Sequence, residues 1–435
     1  MILWFLLLIG VMIVIHELGH YWAARWFDIR VDTFSFGFGP RLFGFKKGET
    51  DFRVSAIPFG GFVRMAGEQP GDANADDPRS FQAKPRWQRL IVVFGGPFMN
   101  IVLAIAILAG LFMWRYPKQP PQEVSGIVGI VLPDSAAARA GIQEGDRITA
   151  LDGAQYPSWE DITLKVIGSP GQPLRVVFDR GGVEKEATLV PEIDKRDGIG
   201  TAGWGEQMEI QIGGVQAGMD AERKGLRAGD LLVSINGEPI RSSAKIRETV
   251  KKSEGKPVDI TFRRDGTNHT VSVVPAQGEL EGQKSWMIGV QLEPRFVFVR
   301  LGPIEAVRES IKSNIKGATL IYQFLHGIIE RRMSPRSLEG PIRMAQISGE
   351  AAKEGITSYL SLMAMVSLNL AIFNLLPIPI LDGGSILLLL VEMIFRRDLS
   401  LQVKETVLKF GFVFLLMVVM FVIYNDIRKV LPSGG

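Results

Sequence analysis

The sequence contains no cysteine and only four histidines among its 435 residues. The absence of cysteine excludes disulfide bonds, thiolate zinc sites and cysteine nucleophiles. A surplus of one charge sign is also missing: the net charge is only +3, which gives no reason to expect a nucleic acid partner. Hydrophobic residues make up 46% of the chain and charged residues 22%, a mixture that predicts a protein partly in a membrane and partly in water.

Long apolar runs are the first positive feature. No lysine or arginine precedes Arg25, so the run at about 2–24 lacks the basic start of a signal peptide. It is long enough to cross a bilayer, and we interpret the runs at about 90–113, 357–381 and 408–424 in the same way. The sequence therefore predicts four transmembrane helices.

Basic residues predict the orientation of these helices. Lysine and arginine are concentrated in the segment between the first and second runs, and again between the third and fourth. The positive-inside rule places both segments on the cytoplasmic side. We therefore expect both termini and the long central region, about 117–350, on the extracytoplasmic side.

Two of the four histidines lie in the first apolar run, within His16-Glu17-Leu18-Gly19-His20. Four residues apart on a helix, His16 and His20 share one face. That spacing suits two imidazole ligands on one Zn²⁺, with the carboxylate of Glu17 beside the ion as a general base. Ionisable side chains at bilayer depth are costly and usually functional, which favours a metal site over a stray pair on a soluble amphipathic helix.

A zinc site that keeps an open position needs a third protein ligand. The remaining histidines, His269 and His326, are expected on the surface outside the membrane. Asp382 is a lone carboxylate at the cytoplasmic end of the third span, at the depth of the histidine pair, and is the preferred candidate. Pro377 and Pro379 prevent a regular helix just before it. The alternative is that Asp382 only caps the helix that follows.

The stretch 31–66 alternates aromatic and small residues on either side of a turn, which predicts a β-hairpin with an apolar face. It directly follows the histidine motif, so we expect it to dip into the membrane beside the site. Irregular backbone is tolerated at that depth only where protein or a water-filled cavity covers it. An ordinary surface hairpin is the alternative.

The central region contains an internal repeat. Residues 140–153 match residues 224–237, and each copy has a Gly-x-x-x-Gly-Asp turn followed by a strand, a helix and further strands. This pattern resembles PDZ domains, which bind an extended peptide end by adding it to the edge of a sheet. Whether these domains bind peptide or filter substrates by size stays open.

The His16–His20 motif, the Asp382 motif and two PDZ-like domains between the second and third spans together resemble the site-2 protease family of intramembrane zinc metalloproteases. Within that family the chain most resembles the bacterial regulators of sigma-E protease. The stretches 95–100 and 339–342 also match the family's pattern. The resemblance covers essentially the whole chain, with no departure at the ligand or base positions.

The expected fold is a multi-pass α-helical membrane protein with four transmembrane helices, a membrane-associated β-hairpin and two inserted α+β PDZ-like domains. Five segments are expected: a membrane part with the histidine motif, two PDZ-like domains, amphipathic helices after them, and a membrane part with Asp382. Their predicted bounds are 1–116, 117–203, 204–295, 296–356 and 357–435.

The resemblance also implies roles for individual residues. His16, His20 and Asp382 would bind Zn²⁺, and Glu17 would be the catalytic base. A further set would handle the substrate helix, namely Asn369, Asn374, Pro377 and Pro379.

The implied activity is that of a zinc endopeptidase in the bacterial inner membrane, which cleaves the transmembrane segment of a single-pass protein after a first extracytoplasmic cut. Anti-sigma factors and remnant signal peptides are the implied substrates, and a free peptide C-terminus is the candidate ligand of the PDZ grooves. The alternative is a membrane-anchored PDZ scaffold with an inactive metal site, which leaves the ionisable residues at membrane depth unexplained. A serine protease is disfavoured because the soluble half has no Gly-x-Ser-x-Gly elbow.

Overall fold

A computed structural model describes residues 1–68, 77–118, 126–194, 199–280, 283–295, 297–330, 335 and 339–430. The chain divides into two compact units. We call Met1–Tyr116, Val299–Gln323 and Leu338–Gly435 the membrane unit, and Pro117–Phe298 with Phe324–Ser337 the PDZ unit.

Helices dominate the membrane unit, together with one long hairpin. Its elements are α1 (Ile2–Trp26), β1 (Val31–Lys47), β2 (Thr50–Met65), α2 (Arg86–Trp114), α8 (Pro341–Glu354), α9 (Ile356–Asn374), α10 (Asp382–Phe395) and α11 (Leu401–Val430). The helix α7 (Pro303–Ile329) begins in this unit. The short strands β3 (Tyr116–Lys118) and β20 (Val297–Val299) lie at the points where the chain passes from one unit to the other.

Among the residues that the structure describes, four helices are long and apolar enough to cross a membrane: α1, α2, α9 and the Gln402–Arg428 part of α11. They correspond to the four runs identified in the sequence. The third differs in extent, because its helix ends at Asn374 and not near residue 381. Pro377 and Pro379 account for the early end, since proline cannot continue a regular helix.

The helices α1 and α2 touch backbone to backbone. A Cβ atom added to Gly19 would overlap the carbonyl oxygen of Gly95, and one added to Gly95 would lie 2.6 Å from the carbonyl oxygen of Gly19. Small residues allow this close approach between membrane helices. Nearer the start of α1 and on the same face, the buried Leu8 and Met12 belong to a cluster that includes Leu103 of α2 and Tyr359 of α9. One face of the first helix is therefore packed along most of its length.

The hairpin of β1 and β2 confirms the strand prediction for 31–66 and is folded back on itself. Ser35 of β1 is paired with both Phe62 and Arg53 of β2. The start of β1 therefore pairs on one side with the beginning of β2 and on the other side with its end. Residues 61–65 of β2 are left along one outer edge of the hairpin. This edge lies against α1, because a Cβ atom on Gly61 would be 3.1 Å from Cγ of Glu17.

The PDZ unit contains the two copies of the repeat. The first has β4 (Val128–Val131), α3 (Ala136–Arg139), β5 (Arg147–Leu151), β6 (Ala154–Gln155), α4 (Trp159–Ile167), β7 (Leu174–Arg180), β8 (Val183–Leu189), β9 (Glu192–Ile193), β10 (Gly200–Thr201) and β11 (Trp204–Glu206). The second has β12 (Ile210–Val215), α5 (Asp220–Arg223), β13 (Leu231–Ile235), β14 (Glu238–Pro239), α6 (Ser243–Lys252), β15 (Val258–Arg264), β16 (Thr267–Val273), β17 (Ala276–Leu280), β18 (Gln283–Met287) and β19 (Val290–Pro294).

Each copy has its own hydrophobic core, as the repeat predicts. The main sheet of the second copy runs in the order β16-β15-β13-β12-β19, so β19 is an edge strand. The predicted boundary between residues 203 and 204 is wrong, because β11 pairs with β4 and Trp204 packs on Trp159 of the first copy. A strand that returns to its own sheet is fixed by long-range pairing, which the local pattern does not show.

The same buried ion pair occurs in both copies. Asp146 and Asp230, each almost fully buried, end the Gly-x-x-x-Gly-Asp turn and accept a backbone N–H from within it. Arg180 donates two hydrogen bonds to Asp146, and Arg264 donates two to Asp230, all at 2.6–2.7 Å. Each arginine also donates to the carbonyl oxygen of the first glycine of its turn. The aspartate of the motif therefore closes the turn through an arginine 34 residues further on.

We expect Asp230→Ala to lower the free energy of unfolding of the PDZ unit by about 2 kcal/mol or more, because Arg264 and a buried N–H lose their acceptor. Pulse proteolysis of the full chain in urea measures this change. The matched control is Arg175→Ala, which removes an arginine pair with Glu186 that lies on the exposed face of β7 and β8. An equal effect of the two substitutions would contradict the structural role of Asp230.

Candidate metal centre

Three ligand atoms from distant parts of the chain meet in the membrane unit. Nε2 of His16 lies 3.1 Å from Oδ2 of Asp382, and Nε2 of His20 lies 3.5 Å from Oδ1 of the same residue. The two Nε2 atoms are 3.2 Å apart. Zinc bonds of about 2.0–2.2 Å in tetrahedral geometry need ligand separations of roughly 3.3 Å, so this donor set fits Zn²⁺. Among the described residues, no other group of three histidine or acidic side chains has such spacing.

Asp382 reaches this position because α9 and α10 are separated by a broken segment. It is the first residue of α10, and the N-cap position belongs to Leu381. The Asp382 carboxylate lies beside the two histidines, at 3.1 Å from Nε2 of His16 and 3.5 Å from Nε2 of His20. The alternative reading, in which Asp382 serves only as a helix cap, is therefore wrong for this structure. The residue before the cap, Ile380, has a φ of 89°, so the turn that aims Asp382 at the histidines holds a strained backbone.

Hydrogen bonds from α2 fix the orientation of both imidazoles. Nδ1–H of His20 donates to the carbonyl oxygen of Val92 at 2.9 Å, which leaves the Nε2 lone pair free for a metal. The side-chain amide of Asn100 lies 3.2 Å from Nδ1 of His16. Its Oδ1 is buried and has no partner among the described residues. With the amide turned over, Oδ1 accepts the Nδ1 proton of His16, and this imidazole also presents its Nε2 lone pair.

The stretch 95–100, singled out in the sequence without a role, therefore lies against the metal ligands. Gly96 faces the two histidines directly: a Cβ atom there would overlap Nε2 of His20 and lie 2.7 Å from Nε2 of His16. Any larger residue at Gly96 would fill the position of the ion. Asn100 is anchored in turn, since Ser367 of α9 donates to its carbonyl oxygen at 2.8 Å. The sequence analysis predicted neither the role of Gly96 nor that of Asn100. The signal for Asn100 was that a polar residue lies deep in an apolar run.

Glu17 is half-buried on the helix turn between the two ligands. Its carboxylate lies within electrostatic range of His16, His20 and Asp382. Its Cγ is the atom that the outer edge of the hairpin approaches at Gly61. A carboxylate between the metal ligands and an open strand edge is placed to exchange protons with a group held at that edge.

The remaining predicted site residues lie beyond the ligand cluster. Asn369 and Asn374 are half-buried on the last two turns of α9. In the segment before Asp382, Pro377 is exposed and Pro379 is half-buried. Their contact with substrate stays a prediction. The histidines outside the motif are exposed (His269) or partly exposed (His326).

Comparisons with known proteins place this geometry in context. The profile of peptidase family M50 matches residues 4–418. The chain is 30% identical to the regulator of sigma-E protease RseP of Salmonella typhimurium, over 98% of this chain and 99% of that protein. It is 29% identical to a Neisseria meningitidis protein provisionally named a zinc metalloprotease, over 98% of each. A PDZ domain from Listeria monocytogenes matches 19% of this chain and 86% of its own, at 22% identity and a TM-score of 0.18.

We expect Asn100→Leu to weaken zinc binding by about 10- to 100-fold, since His16 loses the partner that orients its ring. Competition with a chromophoric zinc chelator measures the affinity of the purified protein. Asn369→Leu, an asparagine substitution on α9 outside the ligand cluster, is the control and should leave the affinity unchanged. An Asn100→Leu protein that binds zinc as tightly as the original would show that Asn100 does not orient the ligand.

Proposed function

The chain belongs to peptidase family M50 and is a zinc metalloendopeptidase, and we propose that it cuts the transmembrane segments of single-pass membrane proteins after a first extracytoplasmic cut. Its similarity to regulators of sigma-E protease supports a zinc intramembrane protease in sigma-E regulation. The observation that carries the proposal is the convergence of His16, His20 and Asp382, at zinc-ligand spacing, beside helices apolar enough to span a bilayer.

The proposed chemistry needs one proton carrier. Zinc, when bound by His16, His20 and Asp382, supplies Lewis-acid chemistry that polarises a carbonyl and acidifies water. Glu17 takes a proton from the attacking water and delivers it to the leaving amine as the peptide bond breaks. The hydrogen bond from His20 to Val92 and the contact of His16 with Asn100 keep the ligands fixed during this transfer.

The substrate must be extended before it can be cut, because a helical peptide bond has its carbonyl oxygen hydrogen-bonded and shielded. The outer edge of the hairpin, 61–65, offers backbone groups next to Glu17. We propose that an unwound substrate segment adds to this edge as a further strand. Asn369, Asn374, Pro377 and Pro379 lie where α9 ends and would hold the substrate helix as it unwinds.

The apolar helices and the relatives support an inner membrane protein. The basic segments between the spans support a metal centre toward the cytoplasmic side, with both termini and the PDZ unit on the other side. The proposed substrates are of the anti-sigma factor type, together with remnant signal peptides.

The second PDZ-like domain has a groove suited to a peptide end. It measures about 580 Å³ and lies between α6 and the edge strand β19. Ile246 and Val250 of α6 form one wall, and Ile288 and Gly289 lie just before the strand. An edge strand beside a helix is the arrangement by which a sheet takes up an extended peptide. We propose that this groove binds the C-terminus left by the first cut, so that untrimmed ectodomains are excluded.

We expect Glu17→Gln to abolish cleavage of a reporter single-span substrate while zinc content and thermal stability are retained, because only the proton acceptor is lost. Mass spectrometry of the products and elemental analysis of the same sample measure the two properties. Asp382→Ala should lose both cleavage and zinc, and Glu354→Gln, on the exposed end of α8, should lose neither. Full cleavage by the Glu17→Gln protein would contradict the assignment of the base.

The gating role of the PDZ unit predicts a different result. Deleting about 117–292 should allow cleavage of substrate that keeps its whole ectodomain. Arg247→Trp, which places a bulky side chain at an exposed position lining the groove, should slow cleavage of trimmed substrate, whereas Lys251→Trp, at an exposed position outside the groove, should not. Cleavage rates in detergent with both substrates measure these effects, and an uncut full-length substrate in the deletion protein would refute gating.

A further inference from the structure

A second cavity lies in the membrane unit, beside the metal centre and apart from its ligands. It measures about 530 Å³, is open on one side, and is lined by residues of the hairpin, α2, α10 and α11. Three of its lining residues adjoin the site. Ser385 is one helical turn beyond Asp382. Val93 follows Val92, whose carbonyl oxygen accepts from His20, and Phe62 follows Gly61, which lies next to Glu17. The cavity therefore begins where the proposed substrate strand would leave the metal centre.

Two arginines of the hairpin, Arg53 and Arg64, line this cavity. Neither forms a salt bridge with a residue that the structure describes, although Arg64 lies within electrostatic range of Glu68. The guanidinium carbon of Arg53 lies 5.3 Å from the ring centre of Phe62, and its Nε is buried without a hydrogen-bond partner. A buried donor with no acceptor carries a cost of about 1–3 kcal/mol, which an anionic ligand would remove.

The other charged groups of the cavity offset only part of this positive charge. Glu392 is buried, and its Oε1 accepts from Nζ of Lys404 at 2.7 Å and from the backbone N–H of Leu399, whereas its Oε2 has no hydrogen-bond partner among the described residues. Burial raises the pKa of Glu68 above its ordinary value, and the positive charge of Arg64 opposes this rise. Three basic residues and two acidic residues line the cavity, so it carries excess positive charge beside apolar walls, including Leu388 and Leu389.

We propose that this cavity is a product site, in which Arg53 and Arg64 bind the α-carboxylate created by cleavage. The inference rests on the proposed function. Hydrolysis breaks the C–N bond, leaving a carboxylate on the N-terminal part of the substrate and an amine on the C-terminal part. Substrates with their N-terminus in the cytoplasm carry the new carboxylate toward the cytoplasmic side, where the basic hairpin is expected. A charge-assisted pair with arginine then holds the product and draws it away from the metal centre.

The chemistry favours a peptide carboxylate over a lipid phosphate. The cavity is lined by four elements of the membrane unit, and three of its lining residues adjoin the site at which a carboxylate is made. Its apolar walls suit the hydrophobic side chains of a former transmembrane segment. A lipid phosphate needs only a basic residue at the protein surface. Arg41 of the same hairpin, which pairs with Asp51, would supply that charge equally well.

Peptide binding to the intact Glu17→Gln protein tests the proposal, because this variant should bind peptide without cutting it. The probes are a short fluorescein-labelled alanine-leucine peptide with a free C-terminal carboxylate and the same peptide as a carboxamide. Fluorescence anisotropy in detergent should show about tenfold tighter binding of the acid, equivalent to one charge-assisted pair. The preference should disappear in Arg53→Gln/Arg64→Gln and persist in Arg41→Gln.

Repeating the titration after zinc removal by a chelator separates this site from the metal. A preference that survives zinc removal and depends on Arg53 and Arg64 supports the proposal. Equal binding of acid and amide overturns it, as does a preference that requires zinc and ignores both arginines. Loss of the preference when phosphatidylglycerol is added, with no effect of either arginine, would assign the charge to lipid. Failure of the unmodified protein to cut a reporter substrate would instead refute the proposed protease function, whatever the peptide titration shows.

Discussion

The meeting of His16 and His20 with Asp382 is the constraint on which the rest of the membrane unit depends. Their nitrogen and oxygen atoms are separated by distances expected between two ligands of one metal ion. The surrounding helices carry almost no other charge. Ionisable groups in such surroundings are tolerated only when hydrogen bonds and opposite charge compensate their desolvation. The backbone contact at Gly19 and Gly95 brings α2 close enough to supply those hydrogen bonds.

The site is therefore built from four pieces that the chain separates widely. The first helix provides the histidines and the proposed base, α2 orients the rings, the break after α9 aims the aspartate, and the hairpin provides an outer strand edge beside Glu17. The same hairpin brings Arg53 and Arg64 to a cavity next to the site. One β-element can thus guide an extended substrate on one side and receive its charged product on the other.

The PDZ unit is built from two copies of one repeat. Each copy buries its own apolar core and closes its Gly-Asp turn with an arginine from a distant strand. In the second copy, a groove lies between the helix α6 and the edge strand β19.

The sequence by itself determined the apolar runs, the hairpin, the repeat and the candidate metal ligands, because each depends on local spacing and residue type. It did not determine where the third span ends, which strand closes the first repeat, or that Asn100 and Gly96 surround His16. Those features arise from pairing and packing between residues far apart in the chain. The convergence of Asp382 with the histidine pair was a hypothesis from the sequence, and only the folded arrangement of α1, α2 and α10 brought these atoms together.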